Sequence, residues 1–203
     1  MAIRLYHCTR ARSMRPLWTL EELGLACELV SLPFPPRVHA KEYLGTNPLG
    51  TVPYLIDGDV RMTESAGICQ YLVERYGPTP LAVERDDPEY PAWLNWLHHS
   101  DATLTFPLAL IARYSGLVPG TNALPQAAAD YTAFFLGRLR LAQSALADRE
   151  YLCASRFTIA DICVGYALHL ACDWLNLTDR IPGNLLSYLE RLRARPAFRR
   201  AQR

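Results

Sequence analysis

Hydrophobic positions at the start of the chain follow two different periods. Residues Ile3 to His7 have the pattern of a short strand, whereas Leu17 and Leu20 recur at helical spacing within residues 13–25. A second strand-like run covers Cys27 to Leu32. The pattern therefore predicts that the chain begins with a strand, a helix and a second strand.

The next segment contains a hairpin signal between two short apolar runs. A short helical piece is predicted around residues 41–44. Val52 to Ile56 and Val60 to Met62 then flank Asp57-Gly58, a dipeptide that strongly favours a two-residue hairpin turn. Residues 64–76 return to helical spacing. Together with the preceding elements, these patterns predict the order βαβαββα.

A change in composition separates the two halves of the chain. Residues 79–88 are rich in proline and acidic residues and lack periodicity, so we predict a linker between a domain of residues 1–78 and a domain of residues 89–203. Apolar positions in the second domain recur only at helical spacing and predict five helices. Thr158 and Asp161 have the spacing of a capping box at one helix start. We expect an α/β domain followed by an all-α domain.

Charge and cysteine content narrow the classes of partner. The 203 residues carry a formal net charge of +1, which favours neither nucleic acid nor an anionic membrane as a partner. No apolar stretch approaches the length of a membrane span, and no signal peptide is evident, so we expect a cytoplasmic protein. The six cysteines form no C-x-x-C pair. We therefore expect reduced thiols and no metal site.

Three segments carry a resemblance to a known family. They are Arg15-Pro-Leu-Trp-Thr-Leu-Glu-Glu-Leu-Gly24, Asn47-Pro-Leu-Gly-Thr-Val-Pro53 and Thr63-Glu-Ser-Ala-Gly-Ile68. With the βαβαββα order and the helical second half, they resemble the cytosolic glutathione S-transferases over nearly the whole chain. The resemblance implies a thioredoxin-like glutathione-binding domain, a helical domain with an electrophile pocket, a homodimer, and no cofactor beyond glutathione as co-substrate.

The resemblance places the glutathione grip on four residues. A cis Val52–Pro53 bond is expected to present the backbone N–H and C=O of Val52 to the cysteinyl part of glutathione. The helix N-terminus at Ser65 suits the γ-glutamyl carboxylate, and Glu64 offers a countercharge to the ammonium group. The alternative for the last two positions is structural, because Thr63 or Ser65 can simply cap the helix.

Other candidate binding residues lie further along the chain. The glycyl carboxylate needs a cation, and Arg37, His39 and Lys41 precede the Asn47 turn; Lys41 is our first choice. Asp101 lies on an apolar helical stripe, where it either meets the glutathione ammonium, including from a neighbouring subunit, or makes a structural hydrogen bond. The residues that we expect to line the electrophile pocket are Thr105, Phe106, Leu110 and Tyr114.

The loop after the first strand should supply the group that stabilises the glutathione thiolate. Ala11 stands where several bacterial members of the family carry serine, so this position offers no hydroxyl to the sulfur. Ser13, at the expected N-terminus of the first helix, is our candidate catalytic residue, with Thr9 and Tyr6 as alternatives and a site without a side-chain donor as a further one. Cys8 lies too early for the family's thiol position, which disfavours disulfide exchange.

Three arginines cluster near the same loop. Arg10, Arg12 and Arg15 could raise the thiolate fraction or attract an anionic co-substrate, or they could form a solvated helix face. The function that this resemblance implies is conjugation of glutathione thiolate to a small hydrophobic electrophile. The alternatives are a non-catalytic glutathione-binding or regulatory module, and a glutathione-dependent isomerase, peroxidase or dehalogenase.

Overall fold

The computed structural model describes residues 3–202, which form two compact units. The first contains the chain up to Thr79 together with a C-terminal segment that begins at Arg195, and the second contains Pro80–Ala194. Most of the segment expected to be a linker therefore belongs to the second unit. Its buried Leu81 accepts a hydrogen bond at its carbonyl from the N–H of Ile159 at 3.0 Å, which anchors it there.

A four-stranded sheet forms the centre of the first unit. Its strands are β1 (Ile3–His7), β2 (Cys27–Ser31), β3 (Tyr54–Asp57) and β4 (Val60–Met62). The strand order is β2-β1-β3-β4, with β1 parallel to β2 and antiparallel to β3, and with β3 antiparallel to β4. The Asp57-Gly58 hairpin joins the last two strands, and Gly58 has the positive φ of 58° that such a turn requires.

Helices cover the sheet and build the whole second unit. They are α1 (Met14–Leu23), α2 (Pro36–His39), α3 (Ser65–Arg75), α4 (Tyr90–His98), α5 (Phe106–Tyr114), α6 (Pro125–Ala145), α7 (Ile159–Asp173), α8 (Gly183–Arg193) and α9 (Pro196–Ala201). Within the described residues no helix has the length and apolarity needed to cross a bilayer. The predicted order βαβαββα and the all-helical second half are confirmed.

The C-terminal helix α9 packs against α1. The Trp18 ring meets the edge of Phe198 with centroids 4.8 Å apart, and both side chains are buried. Arg195 donates two hydrogen bonds to the Glu22 carboxylate, at 2.6 and 2.9 Å. The structure therefore groups the end of the chain with the α/β unit, whereas the sequence assigned all residues after 88 to the helical domain.

The predicted helical stripe after the linker is interrupted by a π-helical segment. This segment spans His99–Thr105, between α4 and α5. The Ser100 hydroxyl donates to the Leu97 carbonyl at 2.7 Å, and the Thr105 hydroxyl donates to the Ser100 carbonyl at 2.7 Å. Because the extra residue per turn shifts side-chain directions, Asp101 is half-buried rather than enclosed by the core.

The capping box at the start of α7 is present as predicted. Thr158 accepts a hydrogen bond from the helix, and Asp161 accepts one from the Thr158 N–H at 2.8 Å. The fully buried Asp161 carboxylate also accepts hydrogen bonds from the Leu152 N–H at 3.0 Å and the Tyr188 hydroxyl at 2.8 Å. Burial raises the pKa of Asp161 to about 6. This carboxylate is thus a structural centre of the helical unit.

Candidate functional site

One end of the sheet brings the predicted site segments together. Tyr6 pairs with Tyr54 across the antiparallel β1–β3 ladder, and Leu55 pairs with Met62 across the β3–β4 ladder. The end of β1, the start of β3 and the end of β4 therefore share one edge region of the sheet. The segments at this end are residues 8–13, Val52–Pro53 and Glu64–Ser65.

The N-terminus of α3 has no side-chain cap, so the backbone N–H groups of its first turn are available to a ligand. Glu64 is the N-cap residue, with an exposed side chain that makes no capping hydrogen bond. The first hydrogen bond of the helix runs from the Ile68 N–H to the Glu64 carbonyl at 2.8 Å, so the N–H groups of the first turn have no partner within the helix. Ser65 is the first helical residue. The alternative in which Thr63 or Ser65 caps the helix is therefore wrong.

A buried arginine lies beneath this helix start. Arg15, in the first turn of α1, is 0% exposed, and its Nη1 donates a hydrogen bond to Ser65 Oγ at 3.0 Å. The interpretation of the arginine cluster as a solvated helix face is wrong for this residue. The sequence offered Arg15 only as one of a cluster that could act on the thiolate or on an anionic co-substrate, and it did not predict the contact with Ser65. The available signal was its position among the apolar residues of the α1 segment, where a charged side chain needs polar partners.

The turn before β3 presents Val52 in a fixed conformation. The Val52–Pro53 bond is cis, as predicted. The preceding Thr51 carbonyl accepts hydrogen bonds from the Tyr43 hydroxyl at 2.8 Å and from Asn47 Nδ2 at 2.9 Å. Within residues 3–202, Val52 itself makes no hydrogen bond. Tyr43 and Asn47, which sequence reasoning did not assign, therefore hold the turn while the Val52 backbone stays available.

The three candidate cations before this turn are all exposed. Arg37 and His39 belong to α2, and Lys41 begins a 3₁₀ helix. The backbone of Arg37 lies close to the turn, since an added Cβ at Gly50 would lie 2.7 Å from the Arg37 Cβ. Gly50, at φ 58°, leads directly toward Val52. Arg37 is therefore an alternative to Lys41 as the cation that would pair with a ligand carboxylate near this turn.

Ser13 supports the loop after β1 from the inside. The side chain is 0% exposed, and its Oγ lies 2.9 Å from His7 Nδ1. The Cys8 N–H donates a hydrogen bond to the same oxygen at 3.2 Å. We expected the Ser13 hydroxyl to face a ligand sulfur. The structure argues against that role, because the hydroxyl is enclosed and bonded within the loop.

The two alternative hydroxyls occupy different environments. Thr9 is exposed at the tip of the loop, next to Arg10 with its positive φ of 63°. The Tyr6 ring packs against Tyr43 with centroids 5.1 Å apart, and its hydroxyl interacts with Arg4, two residues back along β1 and away from the loop. Of the three predicted donors, Thr9 is therefore the one with an exposed side chain.

The thiol of Cys8 lacks the properties of a nucleophile. Cys8 is buried, and its Sγ lies 3.7 Å from the Pro33 carbonyl oxygen. Burial raises the pKa of the Cys8 thiol to about 11. A reactive cysteine is instead exposed and has a lowered pKa. This environment agrees with the sequence argument against disulfide exchange.

The predicted pocket residues of the second unit do not share one environment. Thr105 is buried, and its hydroxyl is engaged with the Ser100 carbonyl, so it does not line an open pocket. Phe106, Leu110 and Tyr114 are spaced by four residues and lie on one side of α5, with Phe106 exposed and the other two half-buried. The Tyr114 ring stacks on Tyr131 at 6.3 Å.

None of the six cysteines forms a disulfide. Residues 3–202 contain no group of three histidine, cysteine, aspartate or glutamate side chains placed to hold a metal ion.

Comparisons with known proteins identify relatives of both units. The family model "Glutathione S-transferase, N-terminal domain" matches residues 5–80. Glutathione S-transferase 3 of Schizosaccharomyces pombe is 35% identical over 102 residues, which cover 50% of this chain and 42% of that protein. This match therefore spans less than half the length of that relative.

Longer matches extend through the helical unit. Glutathione S-transferase F14 of Arabidopsis thaliana is 28% identical over 200 residues, which cover 90% of this chain and 75% of that protein. A solved structure, the glutathione transferase URE2P6 of Phanerochaete chrysosporium in complex with oxidized glutathione, superposes with a TM-score of 0.84 at 27% identity. The match covers 98% of this chain and 94% of that one.

Proposed function

Because the chain belongs to the glutathione S-transferase family, we propose that it binds glutathione and transfers the glutathione sulfur to a small apolar electrophile. The observation that carries this proposal is the meeting of Val52, the open N-terminus of α3 and the loop after β1 at one end of the sheet. Glutathione is an extended peptide with a carboxylate at each end and a thiol between them. The start of α3 suits its γ-glutamyl carboxylate, the Val52 backbone suits its cysteinyl peptide groups, and the loop after β1 suits its thiol.

The proposed pose extends from α3 across the turn before β3. The Val52 backbone pairs with the cysteinyl residue as one added strand pairs with a sheet edge. The γ-glutamyl carboxylate lies at the N-terminus of α3 beside Ser65, and Glu64 pairs with the ammonium group on the same carbon. Lys41 or Arg37 neutralises the glycyl carboxylate. Each charged group of the ligand thus meets a group of opposite charge or a hydrogen-bond donor.

Activation of the thiol is assigned to Thr9 and to the start of α1. A free thiol with a pKa near 8.5 is mostly protonated at neutral pH, and lowering that pKa by two units is worth roughly 2.7 kcal/mol. The Thr9 hydroxyl donates to the sulfur and so stabilises the thiolate, while the thiol proton leaves to solvent. The sulfur then forms a bond to the electrophilic carbon, and the leaving group departs with its electron pair. Ser13 shapes the loop that carries Thr9.

The electrophile is proposed to bind on the exposed apolar side of α5. Phe106, Leu110 and Tyr114 line this side and provide aromatic and aliphatic surface. Thr105 is no longer part of the set, because its hydroxyl is bonded within the helix. Asp101, half-buried in the π-helical segment, remains a candidate partner for the glutathione ammonium.

Calorimetric titration with glutathione tests the binding part of this proposal. We expect saturable binding below several millimolar, and its absence would overturn the proposed function together with the roles of Glu64 and Ser65. Turnover with an aryl halide such as 1-chloro-2,4-dinitrobenzene tests the catalytic part. A rate above that of glutathione in buffer, lost when an S-alkylated glutathione occupies the site, is the expected result.

A second candidate function is a glutathione-binding module without catalysis. The observation in its favour is the loop after β1, in which Ala11 has no hydroxyl and the Ser13 hydroxyl is enclosed. This function would be favoured over the transferase if the protein bound glutathione saturably but accelerated its conjugation to none of a panel of electrophiles, aryl halides included.

Assembly and location are proposed from the family resemblance. The protein is expected to act as a homodimer in the cytoplasm, where its cysteines remain reduced. Light scattering at micromolar concentration tests the first point, because a single monomeric species would contradict it. Localisation of the tagged full chain in fractionated cells tests the second.

A further inference from the structure

The turn that follows β1 carries an arginine where turn chemistry favours glycine. The Ala11 N–H donates a hydrogen bond to the Cys8 carbonyl at 3.2 Å, so these residues close a β-turn with Thr9 and Arg10 at its centre. Arg10 has a φ of 63°, whereas Thr9 does not have a positive φ. A positive φ at the second central residue alone is the pattern of a type II turn, which favours glycine or asparagine at that position.

The left-handed conformation makes Arg10 a costly residue for the fold. A side chain other than glycine or asparagine rarely adopts this conformation, and residues held in it cluster at functional sites. The Arg10 side chain is exposed, so a gain from burial does not account for an arginine at this position. The turn therefore points to a use for the charge itself.

The charge of the surrounding sequence is positive. Residues 1–20 contain four arginines and no acidic residue. Two of the four, Arg10 and Arg12, belong to the loop after β1, where Arg10 is exposed and Arg12 is half-buried. An anionic group that approaches this loop from solvent would therefore meet Arg10 first.

The charges of glutathione are matched by other residues in the proposed pose. The γ-glutamyl carboxylate lies at the start of α3, the glycyl carboxylate pairs with Lys41 or Arg37, and the thiolate accepts from Thr9. Because Arg10 follows Thr9 directly in the turn, its long side chain adjoins the sulfur in this pose, and no carboxylate of glutathione is left for it. The second substrate approaches the sulfur here, and an acidic group on that substrate would lie within reach of Arg10.

We infer that the electrophile carries an acidic group and that Arg10 binds this group, which makes Arg10 a specificity-determining residue. The inference rests on the proposed function and names its substrate class, an apolar electrophile with a carboxylate, sulfonate or phosphate near the reacting carbon. A planar guanidinium binds such oxyanions through paired hydrogen bonds. The thiolate sulfur forms a bond to the electrophilic carbon, the leaving group departs with its electron pair, and the acidic group is unchanged.

Two aryl chlorides that differ in one group test this substrate class. 4-Chloro-3,5-dinitrobenzoate carries a carboxylate, and 4-chloro-3,5-dinitrobenzamide carries a neutral amide of similar size at the same ring carbon. Each kcat/KM is divided by the rate constant of the same electrophile with glutathione in buffer, which corrects for the difference in intrinsic reactivity. On this scale the wild type should prefer the benzoate about tenfold, and high salt should weaken the preference because Arg10 is exposed.

Removal of the charge should abolish this preference. Arg10→Gln should bring the two corrected rates within about twofold of each other, mainly by raising KM for the benzoate, because the carboxylate is bound in both the ground state and the transition state. Its rate with the benzamide should stay within about twofold of the wild type. Arg75→Gln removes an exposed arginine from the far end of α3 and is the matched control, with the preference unchanged.

The conformation of the turn provides a second readout. Glycine adopts a positive φ without strain, so Arg10→Gly should raise the melting temperature while it loses the preference for the benzoate. An arginine kept only for the fold would show the opposite result, a lower melting temperature with an unchanged preference. That result would overturn the inference.

The remaining outcomes separate the inference from the proposed function. A wild type that conjugates neither aryl chloride would overturn the function. A wild type that conjugates both at equal corrected rates would overturn only the inference. An Arg10→Gln variant that slows both electrophiles equally would also overturn it, because Arg10 would then act on the thiolate rather than on the second substrate.

Discussion

Ser13 Oγ lies 2.9 Å from His7 Nδ1, enclosed beneath the loop that joins β1 to α1. The same oxygen receives the Cys8 N–H at 3.2 Å, so one hydroxyl ties the end of the strand to the start of the helix. Thr9, in the same loop, has an exposed side chain. The loop thus has one buried, hydrogen-bonded hydroxyl, at Ser13, and one exposed residue with a hydroxyl, Thr9, that we propose as the thiolate donor.

The two hydroxyls should respond differently to removal. Ser13→Ala leaves the buried Cys8 N–H without its acceptor, so the free energy of unfolding should fall by about 1–3 kcal/mol in urea titrations. Thr9→Val keeps the shape of the side chain and removes only the donor. It should lower kcat/KM with an aryl halide by about tenfold, equivalent to roughly one unit in the thiol pKa.

Binding data provide the control for that comparison. The glutathione affinity of Thr9→Val should stay within about twofold of the wild type, because the lost interaction is with the thiolate rather than with the tripeptide ends. The catalytic role would return to Ser13 if Thr9→Val left turnover intact while Ser13→Ala abolished it. The comparison requires that the two variants are equally stable.

Glu64 should recognise the ammonium group of glutathione. Glu64→Gln keeps the shape of this exposed N-cap side chain and removes its charge, so the affinity for glutathione should fall by about 1–2 kcal/mol, or roughly 5- to 30-fold. The affinity for glutaryl-Cys-Gly, which has no ammonium, should remain unchanged. Glu74→Gln, an exposed glutamate near the end of α3, is the matched control. Equal losses for both ligands would remove Glu64 from this role.

The buried carboxylate of Asp161 should make the stability of the helical unit depend on pH. Its pKa is raised by burial from 3.8 to about 6, so the folded protein keeps this proton over a range in which the unfolded chain has lost it. The free energy of unfolding should therefore decrease as pH rises from about 4 to about 6, by at most about 3 kcal/mol from this group. Urea titrations across this range measure the slope.

Substitution of Asp161 isolates that contribution. Asp161→Asn removes the titration and places an amide donor among groups that themselves donate, including the Leu152 N–H. The variant should lose about 2–4 kcal/mol at pH 7 and show a flatter pH profile. Asp148→Asn, at an exposed position, should leave both stability and profile unchanged. A profile that Asp161→Asn does not alter would assign the pH dependence to other groups.

The thiol of Cys8 should be inert in the folded protein. Because the thiol is buried and has a pKa of about 11, it should escape alkylation by iodoacetamide at pH 7.5 in the native protein. Mass spectrometry should show modification of the same cysteine in the urea-unfolded chain. Cys8→Ala should keep kcat/KM with an aryl halide within about twofold. Rapid alkylation of native Cys8 together with loss of turnover would instead indicate thiol chemistry at this site.

Local sequence patterns predicted the fold well where the controlling contacts are close along the chain. Asp57-Gly58 fixed the β3–β4 hairpin because a tight turn of this kind needs the left-handed conformation that Gly58 adopts. Thr158 and Asp161 marked the start of α7 because the two sides of a capping box are three residues apart. The Val52–Pro53 turn followed the family pattern, which includes the cis bond.

Contacts between distant residues decided the rest. Two contacts join elements that no local pattern relates: the aromatic contact of Trp18 with Phe198, and the hydrogen bond from Arg15 to Ser65. For the same reason the sequence identified Ser13 as a hydroxyl in the right loop without revealing that it points inward. Helical and strand periods, turns and caps depend on neighbouring residues and so are determined by the sequence itself. Side-chain burial and polarity at the site depend on which elements pack together, and only the tertiary structure determines them.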